Sequence, residues 1–160
     1  MKPASPTRAP NGDDPAFWFI NSLIVFKATV DDTEGTFSLF KQVAPTGFAT
    51  PYHTHKAYGE GFWVLEGEVT FFRDGIKYVL SAGGFMYIPG SLPHGFRVTS
   101  TTPATMLIVS PPPSTFAAFV QEMGEPATSL QLPTPTPHDF AKLGMLSAKH
   151  GSVTLGPLPE

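Results

Sequence analysis

The sequence predicts an all-β domain, a sandwich or closed barrel, followed by short C-terminal helices. Three observations predict it. Apolar, β-branched and aromatic runs of roughly five to eight residues recur between Gly, Pro and Asp turns for about 90 residues, with no helical period. Proline (18), glycine (15) and phenylalanine (14) are abundant, which means many turns and many large side chains to bury. Charged residues are only 14% of the chain, leaving little helix-forming charge. A length of 160 residues fits one domain and is enough to bury a core without disulfides.

Taken in order, residues 1–15 are polar and proline-containing and read as a loose arm. Residues 17–20 (Phe-Trp-Phe-Ile) and 23–26 (Leu-Ile-Val-Phe) are strand-like, and 36–43 follow the turn cluster Asp31-Asp32-Thr33-Glu34-Gly35. Residues 60–65 and 69–72 are expected to pair as neighbouring strands through Glu66-Gly67-Glu68. Asp74-Gly75 is a strong hairpin signal between 69–73 and 76–80. Further strands are expected at 85–88, 94–98 and 104–109. The barrel is thus assigned to residues 16–113.

After Pro111-Pro112-Pro113 the pattern changes. Phe116, Phe119, Val120 and Met123 follow i, i+3, i+4, i+7, and Gly124 stands where a helix should end. A Leu-Pro-Thr-Pro-Thr-Pro connector precedes a second helix over 139–149, with Gly151 just past its end. Residues 114–160 therefore read as an extension packed on an open end or outer face of the barrel.

Composition excludes several classes. Cysteine is absent, so there are no disulfides, thiolate metal sites or cysteine nucleophiles. The net charge of −3 comes with no long basic run, so neither nucleic acid nor an anionic membrane is an expected partner. No apolar stretch is long enough to span a bilayer, and residues 1–15 lack a signal-peptide core. A cytoplasmic location is the expectation. There is no Gly-x-Ser-x-Gly elbow, phosphate-cradling loop or dinucleotide fingerprint.

The chemistry-bearing residues are His53, His55, Glu60 and His94. His53 and His55 are two apart, so on a strand both imidazoles face one side. Imidazole nitrogens and a carboxylate suit one divalent ion among Fe, Mn, Co, Ni, Cu and Zn, without choosing between them. Singly, each residue is weak: a His-x-His pair is commonly a surface feature, and His94 could be a loop histidine. The joint spacing carries the argument.

That spacing is Gly47, five residues, His53-x-His55, four residues, Glu60, six residues, Gly67. It resembles the first motif of the cupin superfamily at every defining position. Gly83, Pro89 and His94 resemble the second motif, with Ser91 replacing a motif glycine and Val98 a motif asparagine. Gly90, beside Ser91, is expected to serve the turn instead. The stretches Pro51-Tyr52-His53-Thr54-His55, Phe62-Trp63-Val64-Leu65-Glu66-Gly67 and Pro89-Gly90-Ser91-Leu92-Pro93-His94 are similar to small single-domain cupins of the quercetin 2,3-dioxygenase-like kind.

The resemblance implies a double-stranded β-helix, or jelly-roll barrel, with metal on His53, His55, Glu60 and His94. It also implies a metal-dependent dioxygenase that cleaves a flavonol-like enol or phenolic substrate. Glu60 would then be both ligand and the base that accepts the substrate hydroxyl proton. By strand parity Phe62 and Phe96 face the interior, as pocket wall or simply as core, and Tyr58 is expected at the mouth. Two other classes stay open at this point: a redox-neutral isomerase, cyclase or decarboxylase, and a non-catalytic metal- or ligand-binding barrel. A homodimer is the expected assembly, with residues 17–19 as the contacting segment.

Overall fold

A computed structural model describes residues 13–160. Its strands are β1 (Ala16–Phe19), β2 (Ser22–Ala28), β3 (Ser38–Ala44), β4 (Tyr52–His55), β5 (Glu60–Glu66), β6 (Glu68–Arg73), β7 (Ile76–Ser81), β8 (Phe85–Ile88), β9 (His94–Val98), β10 (Ala104–Ser110), β11 (Glu125–Pro126) and β12 (Ser152–Gly156). The helices are α1 (Phe116–Met123) and α2 (Phe140–Lys149). Two antiparallel sheets face each other as a jelly roll, one ordered β11-β1-β2-β3-β10-β5-β8 and the other β12-β4-β9-β6-β7. Of the arm expected over residues 1–15, residues 1–12 lie outside the described residues.

Strand alternation explains which side chains meet between the sheets. In β3, Ser38, Phe40, Gln42 and Ala44 are buried while Lys41 is exposed, a period of two with one face inward. Phe26, Phe40, Phe71, Val64, Val69, Ile88 and Met106 lose essentially all their exposure and fill the middle of the barrel. Truncating one of these phenylalanines to alanine would cost about 3–5 kcal/mol, transfer plus cavity.

One expected pairing is different. β5 and β6 do not pair with each other. β5 lies between β10 and β8 in the first sheet, and β6 between β7 and β9 in the second. The chain crosses between sheets at Gly67, whose φ is 81°. A Cβ there would meet Ala104 Cα at 3.0 Å, so the corner needs glycine for both its backbone and its room. The Asp74-Gly75 hairpin between β6 and β7 forms as expected, with both residues at positive φ.

The C-terminal segment does more than cover the barrel. α1 sits against β1, with Phe116 and Phe119 edge-on to Phe19 at 6.0 and 5.2 Å, and Phe116 also meets Phe40 at 5.1 Å. α2 begins one residue later than expected, because Asp139 is its N-cap and accepts from the Lys142 amide. Two further strands come from this segment. β12 adds to β4 as the edge of the second sheet, and β11 adds to β1 as the edge of the first. The outer edge of residues 17–18, expected to meet a second copy, is therefore occupied by the chain's own β11. Asn21, at the tip of the β1–β2 turn, clamps the connector by donating to Thr136 O at 2.9 Å and accepting from Thr136 N at 3.0 Å. Among the described residues no helix is long and apolar enough to cross a membrane.

Candidate metal centre

Three strands and one tight turn assemble the site. His53 and His55 project from the same face of β4, and His94 opens β9, where it lies directly opposite His53. The three rings are mutual neighbours, with centroids 4.9 Å (His53–His55), 4.4 Å (His53–His94) and 5.1 Å (His55–His94) apart. One nitrogen from each lies within 4.8 Å of the others. Glu60 enters from the opposite sheet at the start of β5, its Oε2 3.0 Å from His55 Nε2 and 3.5 Å from His94 Nε2. Gly59 permits that approach: a Cβ on it would stand 2.7 Å from the Ile88 carbonyl oxygen.

The second nitrogen of each ring is already engaged. His53 Nδ1 donates to Pro51 O at 2.7 Å, and His94 Nδ1 donates to Leu92 O at 2.8 Å. A carbonyl can only accept, so each ring carries a proton on Nδ1, and Nε2 is the nitrogen left to face an ion. His55 Nδ1 lies 2.9 Å from Ser152 Oγ on β12. A hydroxyl can donate or accept, so Ser152 supports His55 in either tautomer.

The electrostatics follow from burial. Burial, reinforced by the neighbouring His94 and His55, pushes the His53 imidazole down to about 4, so the ring is neutral at pH 7. For Glu60, burial pushes the carboxyl up, but the electrostatic pull and hydrogen bond of His55 and the contact with His94 outweigh it. The carboxyl is held well below its usual range and stays ionised.

The donor set fits a divalent cation. His94 Nε2 is fully buried and makes no hydrogen bond among the described residues. Leaving a buried lone pair unmatched is costly, and a cation is the partner these imidazoles and one carboxylate are arranged to take.

The cluster opens onto a cavity of about 480 Å³. Phe62 and Phe96 line it, with Phe19, Phe48 and Ile108. Both are also core residues, 3% and 5% exposed, so one side chain fills the barrel and forms the wall. Tyr58 is not at the mouth. It is buried behind His55, ring against ring at 4.6 Å and 22°, and it does not line the cavity. Burial and the Glu60 charge push its hydroxyl pKa up, so it stays protonated.

Ser91 itself takes the positive φ, 67°, with its N–H donating to His55 O at 2.7 Å and its hydroxyl to Lys56 O at 3.1 Å. Gly90 does not serve the turn that way; it lies against the Tyr58 backbone, where a Cβ would be 3.1 Å away. Val98 is a core residue at 1% exposure and not part of the cavity wall.

Sequence reasoning did not find several lining residues. Gln42 of β3, Ser152 of β12, and His138, Phe140 and Leu143 around the start of α2 all face the cavity. Only the Val-Thr-Leu alternation at 153–155 hinted at β12.

Comparison with known proteins places this geometry. Residues 40–110 match the family described as Cupin domain. Over 99 residues, 62% of this chain, the sequence is 29% identical to the quercetin 2,3-dioxygenase of Bacillus subtilis (strain 168), and the match spans only 29% of that protein's length. The polyketide cyclase RemF from Streptomyces resistomycificus superposes with a TM-score of 0.56 at 23% identity, covering 66% of this chain and 81% of its own. A predicted oxalate decarboxylase from Thermotoga maritima superposes with 0.58 at 16% identity, covering 64% and 96%. At such identities the likeness to the solved structures is one of fold.

Proposed function

The chain belongs to the cupin superfamily, and from that membership we propose that it is a metal-dependent dioxygenase of the quercetinase type, cleaving a flavonol-like enol with O2. One observation carries the reading: three inward imidazole nitrogens and an ionised carboxylate converge on a cavity whose walls are mostly phenyl rings and aliphatic side chains. His53, His55, His94 and Glu60 would hold the ion. A divalent metal bound there supplies Lewis acidity and, for Fe, Mn, Co, Ni or Cu, a redox-capable centre.

The chain's own residues do the rest. Glu60 Oε2 is the proton acceptor for the enol hydroxyl, and an ionised carboxylate is ready to accept without first losing a proton. His55 Nε2 stands 3.0 Å from the same oxygen, so ligand and base sit side by side, and the nitrogen gives up its hydrogen bond to Glu60 when it takes the ion. Phe62, Phe96 and Phe48 exclude water and offer faces to a flat ring system. The sequence similarity to a quercetin 2,3-dioxygenase supports the reaction type.

The test is oxygen uptake by protein reconstituted separately with Fe, Mn, Co, Ni and Cu, using a panel of flavonols. Stoichiometric O2 consumption with loss of the flavonol chromophore is expected for at least one metal. Turnover of an enol substrate under strict anaerobiosis, with no uptake in air, would refute the dioxygenase reading and support redox-neutral chemistry.

A further inference from the structure

A buried amide on the far wall of the cavity has one half of its hydrogen bonding fixed and the other half open. Gln42 is 3% exposed, on the inward face of β3 between Phe40 and Ala44, and it lines the cavity. Its Nε2 donates to Ser22 Oγ at 3.0 Å, and Ser22 Oγ in turn donates to Phe19 O at 2.7 Å. Because the serine proton is committed to a carbonyl, the hydroxyl can only accept from Gln42. The amide is therefore locked with its NH2 toward Ser22. Its Oε1 accepts no hydrogen bond among the described residues, and it is not sealed from the cavity space. Of the residues lining the cavity, Phe19, Ile20, Phe48, Phe62 and Ile108 carry no side-chain donor, and none of the polar ones, Thr50, Arg97 and Ser147 among them, hydrogen-bonds Gln42 among the described residues.

Strand register places this acceptor relative to the metal ligands. Gln42 lies level with Met106 and Val64, whereas the Glu60 end of β5 lies two inward rows further along, past Phe62 and Ile108. With about 3.4 Å per residue and 4.8 Å per strand, that is about 14 Å along the strands and 10 Å across them between backbones. Side chains reaching inward from both ends leave a span comparable to a molecule of three linked rings.

We infer that Gln42 Oε1 is a specificity-determining acceptor for a hydroxyl at the end of the substrate remote from the histidine cluster. The substrate class is then an uncharged planar polyphenol with a donor at each end, not one ending in carboxylate or phosphate, whose lone pairs a carbonyl repels. This rests on the reading that the cavity takes an enol-bearing aromatic. A hydroxyl meeting Oε1 satisfies a polar atom that the apolar wall leaves unmatched, whereas a probe lacking it leaves that atom unpaired.

The experiment is anaerobic fluorescence titration of the metal-loaded full chain with 3-hydroxyflavone and with its 7-hydroxy and 4′-hydroxy derivatives. One hydroxylated probe is expected to bind about five- to tenfold more tightly than the parent, the worth of one buried neutral hydrogen bond. In Gln42→Leu that advantage shrinks to within twofold, while affinity for the parent compound holds or rises. Ser22→Ala, which unlocks the amide so that its NH2 can turn inward, also lowers the advantage and serves should the leucine variant fail to fold. A wild type without preference, or variants that keep it, would overturn the inference. Discrimination by Gln42 without oxygen uptake would sink the dioxygenase reading alone. Uptake with discrimination untouched in both variants would sink the Gln42 inference alone.

Discussion

Ser152→Ala isolates what a single hydroxyl does for the metal centre. His55 Nε2 faces Glu60 Oε2 at 3.0 Å, so the Nε2–H tautomer donates to that carboxylate and leaves Nδ1 to accept from Ser152. For Nε2 to become a ligand, the proton must leave it, and Nδ1–H then donates to the same serine oxygen. Ser152 and His55 are 8% and 6% exposed, so the only replacement for the lost hydroxyl is a water ordered in the cavity beside them. The net worth of such a bond is about 1 kcal/mol, and loss of a partner that orients a ligating imidazole weakens metal binding about 10- to 100-fold. At 1.4 kcal/mol per decade, that is about 1.4–2.8 kcal/mol. The assay is competition of Zn²⁺ between the protein and a chromophoric chelator at pH 7.5. Ser147→Ala is the control, since Ser147 is an equally buried serine lining the same cavity that makes no side-chain hydrogen bond to a histidine among the described residues. Ser152→Thr, which restores a hydroxyl on a strand residue, should recover most of the affinity. An affinity for Ser152→Ala within twofold of wild type, or an equal loss in Ser147→Ala, would refute the reasoning.

Three other predictions follow from the same geometry. His94→Ala should lose stoichiometric metal by inductively coupled plasma mass spectrometry and lose the metal-induced rise in melting temperature, worth about 2.7 kcal/mol at a hundredfold excess of metal over Kd; undiminished metal content would remove His94 from the ligand set. The chelated protein should weaken on acidification. Since the folded His53 pKa of about 4 lies below its ordinary 6.5, the unfolded chain binds the extra proton between those values, and stability is lost as pH falls through that window, by about 2 kcal/mol at pH 5. Glu60, held low in the fold, adds a further loss below its ordinary 4.5. Urea unfolding at pH 7 and pH 5 measures this, and equal midpoints would contradict it. Gly59→Ala should cost about 1–3 kcal/mol, because its new methyl meets the Ile88 backbone carbonyl at 2.7 Å and the collision moves Glu60; unchanged melting and metal affinity would show that the turn is not that tight.

How much was legible beforehand depends on whether a signal was local. His53 and His55 could be read as one face because strand parity is local, and Glu60 and His94 because their spacing from nearby glycines and prolines resembles the cupin motifs. α1 was legible from its 3.6-residue period and the Asp74-Gly75 hairpin from its turn residues. The sheet crossing at Gly67 was not, because a tight turn between two apolar runs looks like a hairpin until the packing of Ala104 is known. β11 is two residues, one of them proline, and exists only because β1 offers an edge. Gln42 and Ser152 are ordinary polar residues in sequence; only the fold brings one to Ser22, twenty residues away, and the other to His55, ninety-seven away.

That last separation bears on the order of events during synthesis. All four candidate ligands, His53 through His94, leave the ribosome well before β12, and until residues 152–156 emerge β4 lacks one of its two neighbours. A nascent chain therefore displays the imidazoles before it can hold His55 in place. Ion capture by the finished geometry has to wait for β12, and a chain nicked anywhere between α1 and β12 would keep every ligand yet depend on the severed piece staying docked to keep its metal.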